Sequence, residues 1–364
     1  MPPAVFLESE LYASGGGLEF NMSWFDTEGK LPYHVIFSQT SYARNAAGMP
    51  FIGKCDQKSL VAICDRIDSM LLKNGFRREN IPDEDTLRLG ALFEKGFIPP
   101  DLLRSTPLRA IYFNEPCSLA VSVGGSDLLT VRSLLPGLSV AETRNIASGA
   151  EELLDSEIEF AYNDAAGYLS PTPSGCGSGA EFTALLYLPS LRLCGSTEAL
   201  RQRLLRSKAE LFPFLKNGSA ADLYILSHTP SHTCDEQLSA EAFGALLMRI
   251  VEEESAAERI IFSSSSKIMT DKAWRAYGAL LYARDLTALD MLSLCSSVRI
   301  ALACHDGKDA KLPPVSTVLL NTILARGLDC SVITETGICR SRDECCSRRA
   351  ELVSNLLRSF GKAE

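Results

Sequence analysis

The chain has 364 residues, 46% of them hydrophobic and 22% charged, which are ordinary proportions for a folded protein long enough for two domains. Its net charge of −9 argues against a general nucleic-acid-binding surface and against binding to anionic membranes. No apolar run approaches the ~20 residues of a membrane span, and no basic segment followed by an apolar one marks a signal peptide. With 12 scattered cysteines that predict reduced thiols, we expect a cytoplasmic protein.

The first 240 residues predict a mixture of strands and helices. Hydrophobic periodicity and capping residues predict helices over residues 56–73, 83–95, 139–154 and 197–211. The third of these helices is expected to begin with a capping box formed by Ser139 and Glu142. Short apolar runs predict strands over residues 35–37, 108–114, 118–123, 128–134, 158–162, 182–188 and 222–227. A hairpin is predicted at Asn217-Gly218.

From Ser239 onward the apolar spacing predicts helices only. Strands mixed with helices and then a run of helices indicate an α+β domain followed by an all-α domain. The serine run over residues 263–266 is the expected boundary, so residues 1–262 form the first domain and residues 263–364 the second.

A loop rich in glycine and proline, residues 167–179, precedes the strand predicted at 182–188. Glycines and small hydroxyl residues at this density allow close approach of the backbone to a ligand or to another segment. We therefore take this loop as the first candidate for a functional site.

Several motifs in order along the chain carry a family resemblance. They are Ser38–Phe51, Leu92–Pro100, Ser126–Leu138, the loop from Gly167-Tyr-Leu to Gly177-Ser-Gly, Trp274-Arg-Ala-Tyr-Gly and Arg348-Arg-Ala. In sequence and spacing they resemble the ATP:guanidino phosphotransferases, and most of all the bacterial protein-arginine kinases. The resemblance runs nearly from end to end.

The resemblance implies an antiparallel sheet flanked by helices, followed by a helical domain that forms homodimers in relatives. It implies Mg-ATP as the cofactor and transfer of the γ-phosphoryl group to arginine side chains of proteins. It also implies protein partners in the stress response, namely a zinc-finger adaptor, a Clp-type ATPase or an active kinase.

The positions that the resemblance assigns to chemistry carry different residues here. The catalytic positions are Ser126 in place of a glutamate, Asp127, which is kept, and Thr172 in place of the loop cysteine. Cys176 falls four positions further along that loop. The nucleotide-binding positions, where the family relies on cations, are Ser38, Gln39, Ser41, Gly96, Thr130, Glu181 and Glu210. The phosphoarginine-binding positions are Cys345, Cys346 and Arg349, with Arg342-Asp343 displaced from them by about one helical turn.

Three hypotheses follow from this pattern. Scaffold motifs are kept while the cations are lost, which favours a pseudokinase that acts by binding partners. A divergent active kinase is the alternative; it would use Asp127 or another carboxylate, with relocated cations such as Arg206 or Lys208. A metal-binding regulator through His228 and His232 is a third hypothesis, although Pro230 between them favours a solvated loop without a bound metal.

Overall fold

The computed structural model describes residues 24–81, 85–104, 106, 108–215, 221–304, 313–337 and 339–360. Ten strands lie in these ranges: β1 (Val35–Arg44), β2 (Arg77–Glu79), β3 (Ala110–Phe113), β4 (Leu119–Val123), β5 (Leu129–Pro136), β6 (Tyr162–Asn163), β7 (Gly167–Tyr168), β8 (Ala180–Tyr187), β9 (Ala209–Pro213) and β10 (Leu223–His228). Eight of them form one antiparallel sheet with the order β2-β3-β4-β5-β1-β8-β10-β9, and β6 pairs with β7.

The helices follow the predicted change along the chain. They are α1 (Gln57–Lys73), α2 (Thr86–Glu94), α3 (Val140–Asp155), α4 (Pro189–Leu193), α5 (Thr197–Arg206), α6 (Glu236–Tyr282), α7 (Ala288–Cys304), α8 (Thr317–Arg326), α9 (Asp329–Thr336) and α10 (Arg342–Phe360). An antiparallel sheet with flanking helices and a helical C-terminal part confirms the predicted fold class.

Strand β1 is central because it is long and buried on both faces. Its side chains alternate between the faces, as in any strand. Tyr42 packs into the core beneath α1, and Phe37 packs into the core shared with the C-terminal helices. The two faces of the sheet are therefore covered by different sets of helices.

The C-terminal helices lie directly on the sheet. Leu134 and Leu185 from the sheet belong to one continuous core with Leu292, Val298 and Ile323 from α7 and α8. Burial of such side chains contributes about 1.5–3 kcal/mol each, so this contact is a major part of the fold. The helical part thus shares its core with the sheet.

The expected boundary between residues 262 and 263 lies inside α6, which is 47 residues long. The serine run does not end the helix, because serine hydroxyls can hydrogen-bond to the carbonyl groups of the preceding turn. Ser263 does so, with its Oγ 2.8 Å from the carbonyl oxygen of Ile260. The sheet-bound half and the later half of α6 are therefore joined without a linker.

Four local predictions were wrong. The strand predicted over residues 35–37 continues to Arg44 as β1. Ser139 precedes α3 but does not cap it with its side chain, because its Oγ donates to the Pro136 carbonyl instead. Helix α5 ends at Arg206, and Lys208 has a positive φ of 55°, so the chain turns and Leu211 lies in β9. The strand predicted over residues 158–162 overlaps the two-residue strand β6 only at Tyr162, where β6 begins. Asn217-Gly218 lies outside the described residues.

Among the described residues, no single helix is long and apolar enough to span a membrane. Helices α8 and α9 pass that test only as a pair bent by 84°. Most residues of α8 are buried in the protein core, which is typical of core helices that pass the same test.

Candidate active site

One face of the three central strands carries a row of polar side chains. Residues that pair directly across antiparallel strands project to the same face. Ser41 on β1 pairs with Arg132 on β5 and with Glu181 on β8. One pleat along, Gln39 pairs with Thr183 of β8 on this same face. The register therefore brings an arginine, a serine and a glutamate side by side.

The remaining predicted strand positions lie on this face too. Thr130 is two residues before Arg132 on β5 and therefore projects to the same side. Glu210 on β9 pairs with Ser227 of β10, which pairs with Thr183. Gln39, Ser41 and Thr130 are buried, whereas Glu210 is exposed on the edge strand. The structure thus brings Gln39, Ser41, Thr130 and Glu181 together and leaves Glu210 three strands away from β1.

Ser38 belongs to the opposite face. Its side chain is fully buried, and its Oγ donates to the Gly137 carbonyl at 2.8 Å and accepts from the Ser139 amide at 3.1 Å. These bonds hold the turn after β5 against β1. The structure therefore gives Ser38 a role in the fold and places it outside the polar row.

Gly96 lies against the polar row from the segment after α2. Its carbonyl oxygen accepts from Gln39 Nε2 at 2.9 Å and from Arg132 Nη1 at 3.2 Å. Its φ of +83° is in the region that favours glycine, and a Cβ there would lie 3.0 Å from Leu134. The position, where the resemblance implies a cation, therefore offers only a backbone carbonyl.

Arg132 is the one cationic side chain that β1, β5 and β8, all three fully described, direct to this face. Its Nη1 also donates to the Ile98 carbonyl at 3.2 Å, and its Nε has no hydrogen-bond partner. Burial lowers the pKa of Arg132, while the carboxylates of Glu181 and Asp101 act in the opposite direction. Arg132 is not among the residues predicted from the sequence, although its two-residue spacing from Thr130 was a usable signal.

The loop between β4 and β5 holds the next two predicted positions. Ser126 is exposed, and its backbone amide donates to Asp101 Oδ2 at 2.6 Å. Asp127 accepts from Asn45 Nδ2 at 2.7 Å, and Asn45 in turn accepts from the Leu128 amide. Burial raises the pKa of Asp127, and its hydrogen bonds with Asn45 and Ser170 oppose this shift. Asp127 is therefore engaged in holding the loop.

The loop over residues 167–179 carries Thr172 on its exposed side. Cys176 folds back toward it, with its Sγ 3.6 Å from the Thr172 carbonyl oxygen and 3.4 Å from the Ser170 amide. Cys176 thus lies beside Thr172, the position where the resemblance implies a cysteine, although it is four residues further along the sequence.

Arg44 fixes this loop from below. Its guanidinium lies 3.5 Å from the centre of the Tyr168 ring, donates to the Ser178 carbonyl at 3.1 Å and pairs with Glu151 at 2.7 Å. Gly179 has a positive φ of 59°, and a Cβ there would lie 2.4 Å from Arg44 Nη1. The glycine is required because the buried arginine needs that space.

Comparison with known proteins decides the family. Residues 70–257, about half of the chain, match the family model described as "ATP:guanido phosphotransferase, C-terminal catalytic domain". The chain belongs to this family.

Curated relatives of this phosphotransferase-family chain are bacterial protein-arginine kinases. The enzyme of Pelotomaculum thermopropionicum is 25% identical over 289 residues, which cover 77% of this chain and 81% of the relative. That of Brevibacillus brevis is 22% identical over 344 residues, covering 92% and 95%.

Two solved structures of kinases share the fold of this chain. The substrate-free duplicated taurocyamine kinase of Schistosoma mansoni has a TM-score of 0.52 and 17% identity, covering 64% of this chain and 33% of that one. Lombricine kinase has a TM-score of 0.52 and 14% identity, covering 67% and 73%.

Members of the guanido phosphotransferase family use ATP, so in such an enzyme the polar row would have to bind a triphosphate. Phosphoryl transfer depends on cations that neutralise phosphate charge. The row offers one arginine, and the carboxylates of Glu181 and Asp101 act on that arginine. A carboxylate such as that of Glu181 would repel a phosphate charge about 4 Å away by about 4 kcal/mol at an effective dielectric constant near 20. The residues of the row therefore do not fit Mg-ATP.

The predicted phosphoarginine-binding positions on α10 face the core. Cys345, Cys346 and Arg349 are all buried. Arg349 donates to the Gly327 carbonyl at 2.6 Å, to the Leu286 carbonyl at 2.9 Å and to the carboxylate of Asp329. Its guanidinium is therefore committed to the fold. Arg342 and Asp343 lie in the exposed first turn of α10.

The histidine motif forms no metal centre in the part of the chain that the structure describes, since no group of three potential ligands is found there. His228 ends β10, and its Nδ1 lies 3.0 Å from the Lys208 carbonyl oxygen. Pro230 accepts a hydrogen bond from Ser178, so this segment supports the loop over residues 167–179. Lys208 and Arg206, the proposed relocated cations, are exposed at the β9 edge.

Proposed function

We propose that this chain is a protein-arginine-kinase-like pseudokinase, which binds protein partners and transfers no phosphoryl group. The observation that carries the proposal is the cross-strand row in which Gln39, Ser41 and Glu181 occupy positions assigned to phosphate-binding cations. Thr130, on the same face, extends the row with another neutral side chain.

The electrostatics of the row support this proposal. A glutamate at position 181 attracts cations and repels phosphate, and no second arginine from β1, β5 or β8 compensates for it. Ser126 cannot orient a guanidinium by charge, and Asp127 is engaged with Asn45. The substitutions change the charge of the row, while β1, β5 and β8 remain paired in register around it.

The partners are proposed by family likeness. Protein-arginine-kinase relatives imply binding as a homodimer, binding to a zinc-finger adaptor or a Clp-type ATPase, or competition with an active kinase. Binding a partner requires a stable surface but no catalytic turnover. This agrees with a chain that retains the scaffold motifs of the family and lacks the cations of its nucleotide site.

A divergent active kinase is the second candidate, and one pair of residues favours it. Arg132 is a cation one pleat from Thr130, and Asp101 lies beside Ser126, the position where a catalytic carboxylate is expected. In this alternative Arg132 would bind phosphate and Asp101 would orient the substrate guanidinium.

Isothermal titration calorimetry with Mg-ATP separates these two functions. The pseudokinase proposal predicts no binding heat at millimolar nucleotide for the wild type and for Arg132→Gln. Micromolar binding that is lost in Arg132→Gln but kept in the matched surface variant Arg77→Gln would support the active kinase instead. An active protein-arginine kinase titrated under the same conditions serves as the positive control.

A further inference from the structure

Two cysteines, Cys339 and Cys345, meet where the chain enters α10. Each side chain is 8% exposed, and the two form a small core cluster with Val332 of α9. Both thiols are free, and the Cys345 thiol donates a hydrogen bond to the Cys339 sulfur. The fold therefore holds two reduced thiols in direct contact, outside the polar row.

Hydrogen bonds and an ion pair fix the chain on both sides of Cys339. Arg348 of α10 donates to the Thr336 carbonyl, at the end of α9, at 2.5 Å and pairs with Glu344 at 2.6 Å. Glu344 in turn accepts from the Arg340 amide at 2.7 Å. A disulfide requires Cβ atoms about 3.5–4.5 Å apart. Because the segment is already tied to the first turns of α10, the two thiols can form a disulfide with little movement of the backbone.

The surroundings of the two thiols give them different roles in such a reaction. The thiolate is the attacking species in thiol–disulfide exchange. Burial raises the pKa of both thiols, that of Cys345 to about 12, and the guanidinium of Arg349 opposes the shift. Arg349 Nη2 lies 3.6 Å from Cys345 Sγ, and Arg348 acts on Cys339 in the same direction. Cys339 also accepts the hydrogen bond of the pair, which stabilises its thiolate, so Cys339 is the attacking thiol and Cys345 the resolving thiol.

We propose that Cys339 and Cys345 are a modification site, at which a low-molecular-weight disulfide oxidises the two thiols to an intramolecular disulfide. The Cys339 thiolate attacks one sulfur of the oxidant and releases one reduced thiol. Cys345 then loses its proton and attacks the mixed disulfide at the Cys339 sulfur, which releases the second reduced thiol. The oxidant thus takes up two electrons and two protons. The site is separate from the polar row, so the proposal stands whether or not the chain transfers phosphate.

The experiment is peptide mass mapping of the folded, full-length protein after incubation with oxidised glutathione and alkylation of the remaining thiols. Trypsin separates residues 327–340, which contain Cys330 and Cys339, from residues 343–348, which contain Cys345 and Cys346. We expect these two peptides to be joined by a bond that dithiothreitol cleaves. The joined peptides should be lost in Cys339→Ser and in Cys345→Ser. They should persist in the matched variants Cys330→Ser and Cys346→Ser, because Cys346 lies 3.8 Å from Arg349 Nη1 and outside the cluster with Val332.

Two measurements on the wild type keep the proposal testable if a serine variant does not fold. Fragmentation of the joined peptides in the mass spectrometer should place the bond between Cys339 and Cys345. The oxidised protein should also unfold at a higher urea concentration than the reduced protein, because the bond restricts the unfolded chain. Glutathione adducts without a joined peptide, or no reaction at all, would overturn the proposal. A bond that fragmentation places at Cys330 or Cys346 would also overturn it.

Discussion

Arg132 on β5 and Glu181 on β8 lie in register on either side of Ser41; burial lowers the pKa of the Arg132 guanidinium, and the Glu181 carboxylate opposes that shift. The one cation that the three central strands direct to this face is therefore balanced by an anion in the same row. A site with this balance has little net attraction for phosphate. The charge pattern of the row, more than the loss of any one residue, separates this chain from an ATP-binding kinase.

Arg132 has a structural role that can be measured. Its Nη1 bonds to the carbonyls of Gly96 and Ile98 tie β5 to the segment after α2. Arg132→Met should lower the free energy of unfolding by about 2–4 kcal/mol, since both bonds are lost and Glu181 loses its nearby cation. Urea denaturation measures this. Arg77→Met, at a half-exposed arginine on the edge strand β2, is the control and should cost less than about 1 kcal/mol.

The buried Arg44 and the partly buried Glu151 should behave as a unit. Arg44→Met leaves the carboxylate of Glu151 without its cation beneath the loop over residues 167–179 and should cost about 3–5 kcal/mol. The double variant Arg44→Met/Glu151→Met should recover part of that loss, because no uncompensated charge remains. Additive costs in the double-mutant cycle would show that the two side chains are not coupled.

Glu254 predicts a dependence of stability on pH. This carboxylate is fully buried on α6 and accepts from the amides of Ser190 and Leu191 at the start of α4. Burial raises the pKa of Glu254 from 4.5 to about 7. A raised carboxyl pKa means that the folded state binds the proton more tightly, so this contribution is full below pH 4.5 and is lost as the pH rises to about 7.

The Glu254→Gln variant isolates that contribution. The difference in unfolding free energy between wild type and variant should shift by about 3 kcal/mol at most between pH 4.5 and 7, in favour of the variant as the pH rises. Glu253→Gln, on the exposed side of the same helix, should show no such shift. A difference that is constant with pH would mean that Glu254 is already ionised throughout this range.

Much of the fold and part of the site follow from the sequence. The family resemblance grouped Gln39, Ser41, Thr130 and Glu181, and the structure brings these four residues to one face of the sheet. The strand predictions alone did not, because they ended the first strand at residue 37 and began the later one at residue 182. The role of Arg132 could not be predicted from its position in the strand, because that role depends on the carboxylates of Glu181 and Asp101 in neighbouring segments. Long-range contacts of this kind are set by tertiary packing.

Other features depended on contacts that no local pattern reports. Asp56 caps α1 as its local pattern predicts, with its side chain accepting from the Ser59 amide. Ser139 has the same type of sequence signal, but its hydroxyl donates to the Pro136 carbonyl and its amide donates to Ser38 Oγ. Helix α6 likewise continues through the serine run. The core around Leu185 is completed by α7 and α8, which follow later in the chain.

Phosphoryl transfer from γ-labelled ATP to an arginine-rich protein shows whether this chain is a kinase. As a pseudokinase, the wild type should incorporate no acid-labile label above a protein-free blank, and Ser126→Ala and Asp101→Asn should give the same result, while an active protein-arginine kinase labels the substrate under identical conditions. Incorporation by the wild type that falls in Asp101→Asn or Arg132→Gln would instead establish the chain as an active kinase.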